Sequence, residues 1–454
     1  MNIETFNPFT QVLEKSFTEE STEEVINKID RAHQFFLEYR ETPIVSRCNI
    51  LTAVSQLLLK RKDELARLIT TEMGKPISEA LAEIEKCALV CDYYAEHAAR
   101  FLEIETIKSD ASKSYVSYEP LGIILAIMPW NFPFWQVFRF AAPALAAGNV
   151  CLLKHAPNVP QCALAIESIF SEAGLPSGGL TTLLVDVDQV KAIIEHESVM
   201  AVTLTGSEQA GADVASIAGK NIKKLVLELG GSDPFIVLKD ADLEAAAEAS
   251  VFSRMLNAGQ SCIAAKRFIV AEDIFKPFVE FVVERMKALK VGDPMKPETQ
   301  VGPLARLDLL EKLEEQVARS VELGATVLLG GSRSEGRGFF YDPTVLTDIN
   351  QEMPVFREEV FGPVASIISA KDENEAIALG NDTRYGLGAS LWTGDLARAE
   401  QLATQIQAGG VFINGIVKSD PRLPFGGIKR SGYGRELSQM GIREFVNAKT
   451  VWVR

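Results

Sequence analysis

The sequence predicts an α/β protein built around two mostly parallel β-sheets. The chain has 454 residues, of which 47% are hydrophobic and 24% are charged, and this composition provides enough apolar side chains for two or more cores. From residue 121 onwards, short apolar runs alternate with helical segments, as expected for buried strands joined by crossover helices. No period of 20 to 50 residues recurs, so the chain is not a repeat array.

The elements follow one another in a clear order. Residues 20–104 carry apolar residues at three- and four-residue spacing and predict helices, whereas SKSYVSYEPLG at 112–122 alternates and predicts an exposed strand or hairpin. A first strand series then runs through LGIILAIMPW, NVCLLKHAP, TTLLVDV, AVTLTGS and KKLVLELGG. A second series contains FIVLKD, RFIVAE, ATVLLGG, YDPTVL and VASIISA, with helices at 274–290 and 305–324. Two domains meeting near residue 230 would place a ligand cleft between them.

Charge and cysteine content argue against several classes of function. Lys and Arg number 46 against 61 Asp and Glu, a net charge of −15, which disfavours nucleic acid and anionic membranes as partners. The six cysteines are scattered without a C-x-x-C pair, so neither a metal site nor a disulfide framework is indicated. The N-terminus lacks an apolar signal region and no apolar run reaches the ~20 residues of a membrane span. We therefore expect a cytoplasmic protein.

Polar residues follow several strands of the first series. In MPWNFPFW (128–135) the prolines end the strand, so Asn131 is either a turn residue or an amide that can donate to an oxyanion. Lys154 comes at the end of the next strand, where it either binds ribose hydroxyls or is merely solvated. In TLTGSEQAG, Gly206 and Gly211 bracket the start of a helix, a position that favours phosphate. Their spacing matches neither G-x-G-x-x-G nor a P-loop.

Glu228 and Cys262 are the candidates for acid–base and nucleophilic chemistry. Glu228 ends the apolar strand of LVLELGGSDP, and lost solvation there would raise its pKa toward that of a useful base, unless a Lys or Arg pairs with it. Cys262 lies in LNAGQSCIAAKRFIV. A lone cysteine is more often a buried structural thiol, because a reactive thiol needs an electropositive setting.

Taken together, these stretches resemble the aldehyde dehydrogenase superfamily. MPWNFP, Lys154, GSEQAG, ELGG, GQSC, EEVFGPV (358–364) and PFGGIKRSGYGRE (424–436) occur in the order typical of that family and cover essentially the whole chain. ELGG followed by GQSC at this spacing is highly specific. The resemblance implies two parallel-sheet α/β domains plus a small oligomerisation strand element.

The resemblance also implies a division of the chain and its assembly. It implies a cofactor-binding domain at 1–228 with an oligomerisation hairpin at 108–120, a catalytic domain at 229–424, and a C-terminal return with an oligomerisation strand at 425–454. Open apolar edge strands such as SKSYVSYEPLG and AKTVWVR invite aggregation. We therefore expect them to be paired with another subunit, in a homodimer or homotetramer.

The implied chemistry is the oxidation of an aldehyde by NAD or NADP. Cys262 would attack the aldehyde carbon, Asn131 would hold the oxyanion, and Glu228 would activate the water that releases the acid. In NAD-selective members the third residue after the lysine is often a glutamate, which here is Pro157; its loss predicts that both cofactors are accepted. The cofactor contacts implied by the resemblance are Trp130, Asn131, Lys154, Pro157, Gly206, Ser207, Gly211, Leu229, Glu359 and Phe361.

The substrate is the least constrained feature. KHAPN, ELGGSDPFIVL and the compact length are most similar to short bacterial succinate-semialdehyde dehydrogenases that accept NAD or NADP. A semialdehyde carboxylate needs a cation, and Arg139 and Ser419 match residues that other members use. Their second arginine is replaced by Leu256, although Arg422 or Lys418 could substitute. Since an unpaired buried Arg139 would be costly, it should meet an anion, either the substrate or an internal Asp or Glu.

Several alternatives remain. The enzyme could be a broad-specificity dehydrogenase of aliphatic or other ω-carboxy aldehydes such as glutarate semialdehyde. A CoA-acylating enzyme is disfavoured because its relatives commonly lack the glutamate at 228, and a thiol hydrolase because no histidine lies in a recognisable cysteine-partner motif. An inert structural or binding protein on the same fold is disfavoured because Asn131, Glu228 and Cys262 are all present.

Overall fold

The computed structural model of the protein describes residues 2–454. Its strands are β1 (Asn2–Phe6), β2 (Leu13–Thr18), β3 (Glu105–Thr106), β4 (Lys113–Pro120), β5 (Ile123–Met128), β6 (Val150–His155), β7 (Leu180–Thr182), β8 (Val199–Thr205), β9 (Lys224–Glu228), β10 (Asp233–Val237), β11 (Ala265–Ala271), β12 (Thr326–Leu329), β13 (Thr344–Thr347), β14 (Val364–Ala370), β15 (Gly388–Trp392), β16 (Gly410–Ile413), β17 (Gly432–Tyr433) and β18 (Val446–Val453). Its α-helices are α1 (Thr22–Tyr39), α2 (Ile44–Lys60), α3 (Lys62–Met73), α4 (Ile77–Phe101), α5 (Trp135–Ala146), α6 (Pro160–Glu172), α7 (Val187–Glu195), α8 (Glu208–Lys220), α9 (Leu243–Met255), α10 (Glu272–Lys287), α11 (Leu307–Glu322), α12 (Pro354–Arg357), α13 (Glu373–Asn381), α14 (Leu396–Ala403) and α15 (Ser438–Glu444).

The first sheet has the strand order β17-β9-β8-β5-β6-β7. Its central strands are parallel, and β5 and β6 are buried along almost their whole length, which explains why they read as continuous apolar runs rather than alternating ones. The strands β5, β8 and β9 end at Met128, Thr205 and Glu228. Because the carboxyl ends of parallel strands meet at one edge, the polar residues that follow them converge there.

The second sheet has the order β12-β13-β14-β11-β10-β15-β16 and is parallel except for the β12–β13 pair. The two strand series therefore form two separate sheets, as the sequence predicts. The helices expected at 274–290 and 305–324 are α10 and α11, each beginning two residues from the expected start. A 3₁₀ turn at Leu256–Gly259 leads to Cys262 and then into β11.

A third, antiparallel sheet has the order β18-β4-β3. The alternating stretch at 112–122 forms β4, and all eight of its residues pair with β18. The chain reaches β18 through β17, which pairs with β9 at Gly432 opposite Glu228. Residues near the C-terminus thus complete the first sheet before they join the small one.

Two features of the fold bear on the classes of function. Within residues 2–454, no helix is long and apolar enough to cross a membrane. In the same part of the chain, no group of three or more His, Cys, Asp or Glu side chains could hold a metal ion.

Candidate active site

The turn before Cys262 is held in an unusual backbone conformation. Asn257 and Ala258 have φ of 55° and 53°, and Gly259 follows with φ of 75°. Left-handed conformations cost non-glycine residues about 1–2 kcal/mol each, and a Cβ on residue 259 would collide with the carbonyl oxygen of Gly362. The conformation is stabilised because the Asn257 N–H donates to Glu79 Oε2 over 2.7 Å.

Asn131 is tied directly to this turn. The Asn257 side chain donates to the Asn131 carbonyl oxygen over 2.8 Å and to the Gln260 carbonyl oxygen over 3.1 Å. The Asn131 amide donates to the same Gln260 oxygen over 3.1 Å. Asn131 lies at the edge of the first sheet. Hydrogen bonds with the turn that precedes β11 of the second sheet therefore fix its position relative to Cys262.

Cys262 differs from the other cysteines in exposure. All six cysteines lie within the described residues, and only Cys262 is not buried, so the alternative of a buried structural thiol does not fit it. Although the residue as a whole is half-buried, the groups packed around its sulfur desolvate it and raise the pKa of the thiol to about 12, while the charges of Arg139 and Lys266 lower it. The thiol is accordingly protonated at neutral pH and needs a neighbouring base to become a thiolate.

Lys266 provides positive charge next to this thiol. Its ammonium is buried and donates to the carbonyl oxygens of Ser261, Cys262 and Ala264 over 2.8, 2.8 and 3.1 Å. It also lies 3.9 Å from Glu359 Oε1. A lysine inside the apolar stretch IAAKRFIV is a sequence feature that could have indicated this role, since a buried cation requires partners.

Glu228 is the buried carboxyl group of the site. It is 2% exposed, and its Oε1 has no hydrogen-bond partner among residues 2–454. Burial raises its pKa well above the usual value, the charge of Glu436 raises it further, and the charge of Arg139 lowers it. This is the direction that the sequence predicts for a base at the end of a buried strand. Gly426 passes close by, since a Cβ there would lie 2.8 Å from Glu228 Oε1.

Arg139 has an internal anion. Its guanidinium is buried in an ion pair with Glu436, donates to Thr205 Oγ1 over 3.2 Å, and lies 4.9 Å from the centre of the Phe425 ring. Of the two anions expected from the sequence, the structure supplies the internal one. The premise of an unpaired arginine therefore does not hold, and the substrate role of Arg139, which rests also on its match to other members, stays a prediction.

The other two substrate candidates lie in different surroundings. Ser419 is buried, and its Oγ accepts hydrogen bonds from Lys86 Nζ over 2.7 Å and from Trp135 Nε1 over 3.0 Å. Arg422 is 74% exposed and paired with Asp420 through two hydrogen bonds. Its guanidinium is already paired with Asp420 at the surface, and the substrate roles of Ser419 and Arg422 stay predictions.

Most of the candidate cofactor residues line one cavity. Its volume is about 250 Å³, and it lies at the carboxyl edge of the first sheet beside Cys262. The Trp130 and Phe361 rings meet edge to face in its wall, with centroids 5.9 Å apart. Glu359 accepts a hydrogen bond from the Gly231 N–H over 2.9 Å. The predicted site residues in the lining are Trp130, Asn131, Gly206, Ser207, Leu229, Cys262, Glu359 and Phe361.

Three predicted cofactor residues lie outside this lining. The Gly211 N–H donates to the Ser207 carbonyl oxygen over 2.9 Å, and a Cβ on Gly211 would lie 2.6 Å from the Leu229 side chain. Gly211 thus allows Leu229 to pack closely against α8, and its predicted phosphate contact stays a prediction. Lys154 is buried at the end of β6, where burial lowers its pKa, and Pro157 is exposed after the same strand.

Comparison with known proteins finds a family whose model matches this chain, together with proteins of similar sequence and structure. The model of the family described as "Aldehyde dehydrogenase family" matches residues 1–451. A Synechocystis sp. protein named probable succinate-semialdehyde dehydrogenase (NADP(+)) is 53% identical over 453 residues, covering all of both chains. A Mycobacterium tuberculosis succinate-semialdehyde dehydrogenase (NADP(+)) 1 is 52% identical over 456 residues, again covering both chains fully. The crystal structure of succinic semialdehyde dehydrogenase from Streptococcus pyogenes with NADP+ superposes with a TM-score of 0.97 at 38% identity, covering 99% of each chain.

Proposed function

This chain belongs to the aldehyde dehydrogenase family, and we propose that it oxidises succinate semialdehyde to succinate with NADP or NAD. The supporting observation is that the partly exposed thiol of Cys262, the hydrogen-bonded amide of Asn131 and the buried carboxyl of Glu228 lie together at one edge of the first sheet. The similar proteins from Synechocystis sp. and Mycobacterium tuberculosis bear the name of this activity.

The cavity suits a nicotinamide dinucleotide. Leu229 and Phe361 offer apolar walls for a flat ring, and the N-terminal end of α8 offers Gly206 and Ser207 to a pyrophosphate. Glu359 carries the carboxylate for a ribose hydroxyl. When bound, the nicotinamide supplies the hydride acceptor that the oxidation requires.

The chain's own residues would carry the covalent steps. The Cys262 thiol gives its proton to Glu228 and its sulfur bonds to the aldehyde carbon, while the carbonyl electron pair moves to oxygen; the Asn131 amide and the Cys262 N–H stabilise this oxyanion. Glu228 then releases the thiol proton to solvent, so that it is free to accept one from water in the later step. Once this carbon has lost its hydride, a thioester to Cys262 remains. Glu228 takes a proton from water, the resulting hydroxide attacks the thioester, and the carbon–sulfur bond breaks to release the carboxylic acid. A buried carboxyl group at this place favours water over CoA as the acyl acceptor.

Cofactor choice depends on the end of β6. The exposed residue there is Pro157, so no carboxylate repels a 2′-phosphate at that position, and Lys154 provides a nearby cation. We propose that NADP and NAD are both used. The names of the similar proteins specify NADP(+), which supports the use of NADP.

We propose that the chain divides into a cofactor-binding part at 1–228, a catalytic part at 229–424 and a C-terminal return at 425–454. A homodimer or homotetramer is supported by β18, in which Trp452 and Val453 are 51% and 45% exposed. Such apolar edge residues fit burial against another subunit. Light scattering at micromolar concentration tests this, and a stable monomer would contradict it.

The six unpaired cysteines support a reducing, cytoplasmic location.

A comparison of aldehydes tests the activity itself. Wild-type protein should show its highest kcat/KM with succinate semialdehyde, lower values with glutarate semialdehyde and butyraldehyde, and turnover with both cofactors. Cys262→Ala should abolish turnover and retain cofactor binding, measured by quenching of tryptophan fluorescence. Equal kcat/KM for all three aldehydes would favour the broad-specificity alternative, and turnover by Cys262→Ala would contradict the role of the thiol.

A further inference from the structure

The first turns of α4 carry two carboxylates that reach two different segments of the active site. Glu79 Oε2 accepts a hydrogen bond from the Asn257 N–H over 2.7 Å, in the left-handed turn before the reacting thiol. Glu83 Oε1 accepts from the N–H groups of Phe134 and Trp135 over 2.9 and 3.0 Å, at the beginning of α5. Because residues four apart lie on the same side of a helix, one face of α4 holds both segments.

The Glu83 contact has a cation of its own. Glu83 is paired with Lys75, and both side chains are buried. The Lys75 Nζ also lies 3.6 Å from the centre of the Phe132 ring, which directly follows Asn131 in the chain. Removing Glu83 would leave a buried cation unpaired, whereas removing Glu79 leaves this ion pair intact. Glu79 is therefore the carboxylate whose role can be tested by substitution.

Glu79 is connected to the reacting groups through Asn257. The Asn257 side chain donates to the carbonyl oxygens of Asn131 and Gln260, while its N–H donates to Glu79. Glu79 does not line the cofactor cavity, and the charges that shift the pKa of Cys262 come from other side chains. Glu79 thus acts on the geometry of the turn and not on the charge of the thiol.

We infer that Glu79 is a positioning residue, which keeps the Asn131 amide and the Cys262 N–H aligned on the same oxyanion. This inference rests on the proposed function and extends its machinery to α4. Asn257 has a φ of 55°, a conformation that costs a non-glycine residue free energy, so the turn relaxes when its N–H loses the acceptor. The Asn257 side chain then releases Asn131, and the two oxyanion donors move apart. The role requires an acceptor at this place and no charge.

The titration of Glu79 is separate from this role. Although the residue as a whole is half-buried, the groups packed around its carboxyl desolvate it and raise its pKa to about 7, while the charge of Lys75 and the hydrogen bond from Asn257 lower it. A carboxyl group with such a pKa suits a proton carrier, but its partner here is a backbone N–H. Glutamine at position 79 would keep the acceptor and abolish the titration, so it distinguishes the two roles.

The test compares three substitutions of Glu79 with Glu96→Ala. Glu79→Ala should lower kcat about tenfold to a hundredfold for succinate semialdehyde and butyraldehyde alike, with KM within about twofold, because both substrates form the oxyanion. Glu79→Gln should recover kcat to within about threefold of wild type, since its amide oxygen accepts the same hydrogen bond. Glu79→Asp keeps the charge but is one methylene shorter, so it should stay impaired. Glu96 is exposed near the other end of α4, and Glu96→Ala should behave like wild type.

Alkylation of Cys262 by iodoacetamide gives a readout in which no oxyanion forms. The sulfur displaces iodide from a saturated carbon, so the Asn131 amide has no developing charge to stabilise. The alkylation rate of Glu79→Ala should therefore stay within about threefold of wild type while kcat falls. Equal losses of alkylation and of kcat would show a general disruption of the thiol's surroundings and would overturn the inference.

The outcomes separate this inference from the proposed function. A wild type that oxidises neither aldehyde would overturn the proposed function and the inference with it. An active wild type would overturn the inference alone if Glu79→Ala kept its kcat or if Glu79→Gln were no more active than Glu79→Ala. The thermal midpoint shows whether Glu79→Ala is folded. If it is not, Glu79→Gln and Glu79→Asp decide, and a higher kcat for Glu79→Asp would contradict the role of the acceptor.

Discussion

The buried ion pair between Arg139 and Glu436 allows a prediction that separates structural from substrate-binding roles. Both side chains are at most 4% exposed, so removing either one leaves the other charge buried without its partner. We expect Arg139→Leu and Glu436→Leu each to cost about 3–5 kcal/mol in stability. The unfolding entropy of a chain of this length is roughly 1 kcal/mol per kelvin, so each variant should melt about 3–5 °C below the wild type.

The double variant gives the decisive comparison. Replacing both partners by leucine removes both buried charges, and such replacements are commonly neutral or stabilising. The double variant should therefore melt close to the wild type, with strongly non-additive effects of the two single changes. Scanning calorimetry of the three variants with and without cofactor measures this directly.

Kinetics of the same variants test the role of Arg139 in binding. Arg139 lowers the pKa of Glu228, so Arg139→Leu should keep more of that base protonated and slow both succinate semialdehyde and butyraldehyde. In the double variant, KM for succinate semialdehyde should stay within about threefold of the wild type, because no charged hydrogen bond to the substrate is lost. The reasoning would be refuted by a stable double variant in which KM rises tenfold for succinate semialdehyde alone. That result would place the carboxylate on Arg139.

Three further predictions concern the thiol, the base and the cofactor. The rate of Cys262 alkylation by iodoacetamide should increase about tenfold per pH unit between pH 7 and 10, because the pKa of the thiol is raised to about 12. A rate that reaches a plateau near pH 8 would contradict this. The Cys262→Ala variant measures labelling of the other cysteines. Glu228→Ala should release one equivalent of reduced cofactor in a burst and then stall at the thioester, whereas steady turnover without a burst would exclude the hydrolytic role. Pro157→Glu should lose kcat/KM with NADP and retain it with NAD, measured side by side; equal losses would show that residue 157 does not select the cofactor.

Strands of the fold could be predicted from the sequence where their burial produces a continuous run of apolar residues. The strands β5, β6, β10 and β11 are buried on both faces, so they appear as apolar runs that only a sheet covered on both sides explains. The hairpin of β1 and β2 was not predicted, because LEKSFT is almost fully exposed and carries no such pattern. The strands β15 and β16 were missed as well, since they are short and include glycine.

Residues of the site could be predicted only where they lie in a recognisable sequence motif. Cys262, Glu228 and Asn131 lie in recognisable stretches, and the structure brings them to one place. The partners of Arg139 and Ser419 could not be found in this way, because Glu436 and Lys86 come from distant parts of the chain and their types are usually solvated. Pairing of buried charges is decided by packing, which a linear pattern does not encode.

The return of the chain through β17 has a consequence for biosynthesis. Glu436 and Gly432, which pair with Arg139 and with the end of β9, leave the ribosome long after the strands they complete. At roughly 5–20 residues per second, the emerging first sheet waits on the order of tens of seconds for its last strand and for the counter-ion of a buried arginine. Until translation is nearly finished, the first sheet therefore lacks its last strand and Arg139 lacks its counter-ion.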